Sequence, residues 1–478
     1  MLDREKPGTK IFAEATPLLQ KAAPIVPAQE CQQHIQLLRC FLDLKQTVLK
    51  TEGLFKTEYV HKNKNELDPI ARQSAAEESR WSIYVSRAIH RFSVWWTRLS
   101  VTGTPGPGSN QVLEKPYGPH GGWTWTGDQM PPLDVLMVLH ALTLHTKAFG
   151  EDCFRHQKMA LWNGGFPLQL ASQYIDPDSF KYSCPEPCRL QFENMTKLAW
   201  DNVNDPENIP IECFRCQKQT AVPWTTRRGK GLADDGFLQV CQWCSFILRK
   251  DALLAQKLRR DLHLLLETNI PLPGACWSVD DGLAPNETTD ESLKQSLVDL
   301  LLEETRPTNL FPNITQTIQA STEAVGSQTL PLLHNIFEHY RYVGNSSCDL
   351  HTSVMRVSKS ASTLQSADFL DFDSRSSQIE SLYTKFLREQ SKGSSRRSGP
   401  QTDIMDPLSL FWGTHLLRPR SYCDFSRHFG NSVPVDWGLP HESETCSLCQ
   451  TLCPPSFARR FIRGLTSLSE WKEWLSTV

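Results

Sequence analysis

The chain has no stretch apolar and long enough to cross a bilayer. Its most apolar run, Leu133 to Leu144, carries His140 and falls short of the ~20 residues a spanning helix needs. It lacks an excess of charge of one sign: 50 Lys and Arg against 53 Asp and Glu leave a net charge of −3, which argues against a polyanion-binding field over the whole protein. Glycine is scarce, 25 of 478 residues, which excludes collagen-like and fibrous classes. Asp3, Arg4, Glu5 and Lys6 stand where the apolar core of a secretory signal would be, so the expectation is an intracellular protein, cytoplasmic or nuclear, with no membrane partner. Several catalytic signatures are missing. There is no G-x-x-x-x-G-K-[ST], no G-x-G-x-x-G opening a helix, no G-x-S-x-G and no H-E-x-x-H. None of the 14 His is followed two residues later by Asp or Glu, so the local iron(II) facial-triad pattern is absent as well.

The 14 Trp and 22 Phe argue for a folded chain, and 478 residues suffice for two or three domains. The fold expected is mainly α, a multi-helix domain with an inserted small β module of zinc-ribbon type. Residues 1–29, with Pro7, Pro17, Pro24 and Pro27, read as a loose lead-in. An N-terminal helical region, 30–208, carries a first His motif. Ile35, Leu38, Phe41 and Leu42 give one amphipathic helix, and Trp81, Val85, Ala88, Phe92, Trp95 and Leu99 a stronger one. Gly- and Pro-rich 102–127 reads as loop. Pro131-Pro132 then opens a helix that is apolar almost all round, with Gly150 placed to cap its end. A four-cysteine insert, 209–249, follows, then a second helical region, 250–390; helices are expected from Arg249 to Glu267 and near 292–303. The Ser-rich stretch 346–377 has core-sized residues at helical spacing and reads as helices with exposed Ser faces. Residues 391–403 read as a linker, and 404–478 hold a second His motif and a Cys cluster.

One weak repeat links the two ends. Pro132-Leu133 precedes His140 by the same distance as Pro407-Leu408 precedes His415. If the two helices pack together, His140 and His415 could face each other, with Asp134 or Asp152 as a carboxylate beside them. Two buried helices of similar design explain the repeat equally well.

The strongest local signal is Cys213-Phe214-Arg215-Cys216 followed, after 24 residues, by Cys241-Gln242-Trp243-Cys244. Each C-x2-C turns two thiolates toward one point, and two such turns complete a tetrahedron that suits structural zinc. Four thiolates leave no open coordination position. Arg227, Arg228 and Lys230 lie between the pairs, where a basic hairpin tip could meet nucleic acid, although a solvated loop is the commoner outcome. Cys446, Cys449 and Cys453, with His441 or Cys423, form a second cluster of irregular spacing. Cys184 and Cys188 flank Glu186 and two prolines.

Residues 131–140, running on to Phe149-Gly150-Glu151-Asp152-Cys153, resemble the buried-helix motif of the glycine-rich domain-containing protein-like family, known from plants and fungi. The Cys pairs with Val222-Pro223-Trp224 between them resemble the cysteine-rich insert of its fungal members. Residues Asp406-Pro407-Leu408 through Trp412, Thr414-His415 and Tyr422 resemble its second motif. The resemblance spans about 30–440. It departs at Gly413, where relatives usually carry a His, and at Leu139, where many carry a Trp. It implies no settled activity. The dioxygenase label sometimes given to fungal relatives finds no support in this chain's missing His-x-Asp. The expectation is a zinc-stabilised, non-catalytic scaffold that binds another protein. The alternatives are a metal-dependent enzyme, oxygenase-like or hydrolytic and accessory to fungal secondary metabolism, using His140, His415 and Asp134 or Asp152, and an RNA-binding protein using Arg227, Arg228 and Lys230.

Overall fold

The computed structural model describes residues 26–57, 69–101, 123–268, 270–274, 277–278, 282–283, 336, 339–365, 376–384 and 407–422. The 391–403 linker, the 292–303 helix, residues 102–122 of the loop and the cluster at Cys446, Cys449 and Cys453 lie outside these residues.

The helical part is built on three helices. Helix α1, Ala28–Lys50, buries Cys31, His34, Ile35, Leu38, Phe41 and Leu42, a stripe of three- and four-residue steps. Helix α2 is Pro69–Arg98 and α3 is Leu133–Leu144. From Asp134 to Leu144 every residue of α3 is buried, because α2 and later helices pack around it. Seven of its large apolar side chains are sealed from water, which contributes roughly 10–20 kcal/mol of gross burial free energy at about 1.5–3 kcal/mol each.

Gly150 does not cap this helix. The chain leaves the helical region at His145 (φ −92°, ψ 75°), five residues earlier, and starts α4, Thr146–Arg155, with Gly150 buried inside it. Short helices α5 (Met159–Gly164), α6 (Leu168–Gln173) and α7 (Glu186–Thr196) follow. Gly165, at φ +68°, ends α5, and an added Cβ there would lie 2.7 Å from the Leu417 carbonyl oxygen.

Two antiparallel hairpins carry the cysteines. The first pairs β1 (Asn208–Glu212) with β2 (Gln219–Pro223); the second pairs β3 (Gln239–Val240) with β4 (Ile247–Leu248). Helix α8, Lys250–Thr268, continues from β4. A third two-stranded pair joins 277–278 to 282–283. Helix α9 is Leu350–Ala361, residues 376–384 are helical, and α10 is Pro407–Leu416.

The serines of α9 do not face solvent. Ser353, Ser358 and Ser360 are buried, and the first two donate to the carbonyls of Asp349 and Val354 four residues back. A hydroxyl satisfied by its own helix can be buried at little cost.

There are two cores. One gathers α1 to α7, α9 and α10 around α3. The other joins the two hairpins to α8, with Phe214, Val222, Phe246, Leu248, Leu258 and Tyr340 among its members. Helix α2 forms a wall of both: Trp81 and Val85 face the first core and Ile83 the second. No helix among the described residues is long and apolar enough to cross a membrane.

Candidate metal centre and buried histidine pair

Each C-x2-C closes in the same way. The N–H of Cys213 donates to the carbonyl of Lys218 at 2.9 Å, and that of Gln217 to the carbonyl of Cys213 at 2.9 Å. In the second hairpin Cys241 donates to Phe246 at 2.8 Å and Ser245 to Cys241 at 3.0 Å. The residue after each second Cys, Gln217 and Ser245, sits in the left-handed region at φ 58°, which turns the chain back beneath its two thiols. Phe214 and Phe246 pack at 6.0 Å between ring centres behind the two turns.

The turns face each other. Sγ of Cys213 and Cys244 lie 3.7 Å apart, as do Sγ of Cys216 and Cys241, and all four thiols fall within 4.8 Å of one another. Four sulfurs at ~2.3 Å from a central ion in a tetrahedron lie ~3.8 Å apart. The donor set therefore fits a metal ion such as zinc. Burial works against ionisation of the Cys241 thiol, but donation from the Thr220 hydroxyl at 3.4 Å and from the Trp243 N–H at 3.4 Å outweighs it and brings the thiol down to about 6. Burial pushes Cys213 up to about 12. Those two donors favour the thiolate form of Cys241, the form that binds a metal ion.

The segment between the pairs is folded. Asp234 accepts from the Thr225 hydroxyl at 2.8 Å and from the N–H groups of Thr226 and Gly231 at 3.1 and 2.6 Å. Arg227, Arg228 and Lys230 are exposed around the turn closed by the Gly229 N–H on the Thr226 carbonyl. Trp224 docks on α2, its ring 5.7 Å from that of His90.

The histidines found through the repeat do not meet. Nε2 of His140 lies 2.8 Å from Nε2 of His34, on α1. Nδ1 of His34 lies 2.9 Å from the Thr414 hydroxyl, which itself donates to the Leu410 carbonyl at 2.7 Å. That order assigns the tautomers: His34 donates from Nδ1 to Thr414 and accepts at Nε2 from His140. Nδ1 of His140 has no hydrogen-bond partner among the described residues. Burial pushes His34 down to about 3, and burial together with His34 holds His140 well below the usual imidazole range. His415, one residue beyond Thr414, instead lies with Nδ1 2.8 Å from the Tyr383 hydroxyl. The two motif helices do pack together, but the residue α10 turns toward the His34–His140 pair is Thr414.

Neither candidate carboxylate joins them. Asp134 stands six residues before His140, about 9 Å along the helix and 120° around it. It accepts from Arg91 Nε at 2.7 Å and from Asn202 Nδ2 at 2.9 Å. Arg91 also bridges to Asp205 and donates to the carbonyls of Ala199 and Trp200 at 2.8 and 2.7 Å. Asp152 accepts from the Ser346 hydroxyl at 2.6 Å and the Ser347 N–H at 2.9 Å, and so holds the start of the segment that leads into α9. Among the described residues, the four cysteines are the only group of three or more His, Cys, Asp or Glu whose donor atoms converge within metal-binding reach.

No family model, curated protein or solved structure matches this chain.

His34 was missed by sequence reasoning. Its signal was present: a His on the apolar stripe of α1, three residues after Cys31, which hydrogen-bonds the same Thr414. Cys184 and Cys188 are free, and the Cys188 thiol donates to the Gly127 carbonyl at 2.9 Å.

Proposed function

We propose that this chain is an intracellular zinc-binding interaction protein in which a zinc-ribbon-like module, held by Cys213, Cys216, Cys241 and Cys244, is a structural element rather than a reaction centre. The observation that carries this reading is the closed set of four convergent thiols at tetrahedral spacing. Four sulfur ligands fill zinc's coordination shell, which leaves no position for water or substrate. The use of Asp134 and Asp152 as hydrogen-bond anchors for chain segments adds support. The family reading belongs to this proposal as well: α3 and α10 would be the two motif helices of a glycine-rich domain-containing protein-like chain of the fungal type. Cytoplasm or nucleus is the compartment this reading implies, because thiolate ligands need a reducing environment.

The test is metal content by mass spectrometry on protein purified without a histidine tag. The expected result is one zinc per chain, lost in Cys213→Ser/Cys216→Ser and retained in His140→Ala. A chain without zinc, or zinc that survives the cysteine changes and disappears with His140→Ala, overturns the reading and puts the enzyme alternative first.

A further inference from the structure

Nine large apolar side chains are exposed among the described residues, and four of them lie between 238 and 247: Leu238 at 37%, Val240 at 52%, Trp243 at 58% and Ile247 at 41%. Leu238, Val240 and Ile247 share one face of the hairpin, and Trp243 stands at its turn. Alternation along β3 and β4 turns Phe246 and Leu248 into the core and leaves Val240 and Ile247, which are opposite each other in the register, facing out. On the next rung Leu238 is exposed on one strand and Arg249 on the other. Trp243 stands in the turn that joins the strands, and its indole N–H donates to the Gln219 carbonyl at 2.8 Å. Lys218, from the other hairpin, places Nζ 5.0 Å from the centre of the Trp243 ring. A short, exposed, apolar strand pair is a surface that proteins ordinarily avoid unless something covers it.

The charge around this face narrows the occupant. Residues 208–250 carry seven Lys or Arg against Glu212, Asp234 and Asp235, a balance of +4 in a chain whose net charge is −3, so the remainder carries −7. All three acids are engaged, Glu212 with Gln256 at 2.8 Å, Asp234 in the loop and Asp235 with Lys250 at 3.9 Å. Two bound Zn2+ charges and four thiolates would still leave a cationic module. Single-stranded nucleic acid needs successive rings on which bases stack. This face offers one ring and three aliphatic side chains, which instead match the alternate side chains of an extended peptide.

We propose that the outer face of the second hairpin, Leu238, Val240, Trp243 and Ile247, flanked by Lys218 and Arg249, docks an acidic peptide segment of another protein in which apolar residues alternate with carboxylates. This rests on the reading of the chain as a zinc-held interaction protein and names its partner class. The apolar side chains of the peptide cover Val240 and Ile247, its carboxylates meet Lys218 and Arg249, and Trp243 is the anchor, as buried aromatics are at most interfaces.

The experiment is fluorescence anisotropy with a short fluorescein-labelled peptide alternating Glu and Leu, titrated with the full zinc-loaded chain. Saturable binding that weakens with salt is expected. Trp243→Ala should weaken it about thirtyfold, the scale of an aromatic hot spot. Val240→Ser/Ile247→Ser should weaken it about tenfold while zinc stays at one per chain. Lys218→Gln/Arg249→Gln should weaken binding and flatten its salt dependence. The inference is overturned if the peptide does not bind saturably. Equal binding of a Lys–Leu peptide also overturns it, as does oligouridylate binding lost through the same substitutions. So does conversion of a dimer to a monomer by Val240→Ser/Ile247→Ser, which would make a second copy the occupant. A chain that holds no zinc fails the underlying reading; a zinc-loaded chain that ignores the peptide fails this inference alone.

Discussion

Arg91 is the residue whose removal should cost the described fold most. Its side chain is almost wholly buried and its donors serve Asp134, Asp205 and the carbonyls of Ala199 and Trp200, with the Phe192 ring 5.1 Å from the guanidinium carbon. Arg91→Met keeps the apolar stem and removes the charge. Two carboxylates then lose their direct ion-pair partner, with Arg87 the remaining cation nearby, and two carbonyls lose their donor. Breaking a buried pair from one side costs about 3–5 kcal/mol, a large share of the roughly 5–15 kcal/mol that holds a domain together. Urea titration followed by tryptophan fluorescence, with zinc in excess, should show that loss. Arg91→Met/Asp134→Leu should recover part of it, because an apolar pair in place of a buried ion pair is often neutral or better. Asp205 keeps the Ala199 N–H at 2.8 Å and so is not left without a donor. A loss below about 0.5 kcal/mol for Arg91→Met, the range of ordinary surface changes, would refute the claim that this network anchors the segment 199–205. An enzymatic activity abolished by Asp134→Asn at unchanged stability would refute the anchoring role of Asp134.

Three further outcomes are expected. The pKa values of His34, His156, His339 and His415 are depressed to about 3 by burial, and that of His140 is depressed too. The fold holds these rings neutral while the unfolded chain protonates them near pH 6.5. Stability is therefore full above pH 6.5 and falls by about 1.4 kcal/mol per pH unit per group as pH drops toward 3. Glu151, raised to about 7 by burial, works in the opposite sense from pH 7 down to its unfolded value near 4.5. The other carboxyls that burial raises, Glu30, Asp152 and Glu380, act in that sense too, but the depressed imidazoles, with His90 and His351 among them, outnumber these four. Tm should fall between pH 7 and pH 5.5, and a flat or rising Tm would refute the assignment. Gly165→Ala should lower Tm, because φ +68° costs a side chain about 1–2 kcal/mol and the added Cβ meets the Leu417 carbonyl; an unchanged Tm would refute the close approach of α5 and α10. His34→Leu should raise the reactivity of neither Cys31 nor Cys40 toward Ellman's reagent in the folded state, since burial pushes both thiols up to about 12; fast labelling of the folded variant would show that the α1 stripe is open.

The long helices were legible because their burial follows periodicity: α1, α2 and α8 lie within two residues of where the apolar stripes place them, whereas α3 starts where expected and ends at Leu144, short of the cap read at Gly150. The cysteine turns were legible because spacing alone fixes where two thiols point. What was not legible is the polar interior. Arg87 and Arg91 lie on buried faces of α2, where a stripe of apolar residues gives no reason to place a guanidinium, and apart from Asp134 on α3 their partners lie in the 199–206 segment, more than 100 positions away. His140 was found by its repeat but was given the wrong partner, because the repeat names two helices and says nothing of α1. The α9 serines were turned outward because polarity was read as exposure, whereas carbonyls one turn back satisfy the Ser353 and Ser358 hydroxyls. Asp134, His140 and Asp152 shared sequence proximity to one motif, and six helical residues were enough to separate Asp134 from His140.

His34 and Thr414 are 380 positions apart, and the contact between them is buried in the middle of the larger core. A ribosome adding about 5–20 residues per second finishes α10 roughly 20–80 s after α1 has emerged. Throughout that interval the apolar stripe of α1 and the fully apolar α3 have no α10 to close against. The hairpin module between them depends on no contact so distant from itself, and α8 follows it directly in sequence. Synthesis thus completes both cysteine turns and α8 before the C-terminal helix that closes the larger core, and part of the α1 and α3 surface is covered last.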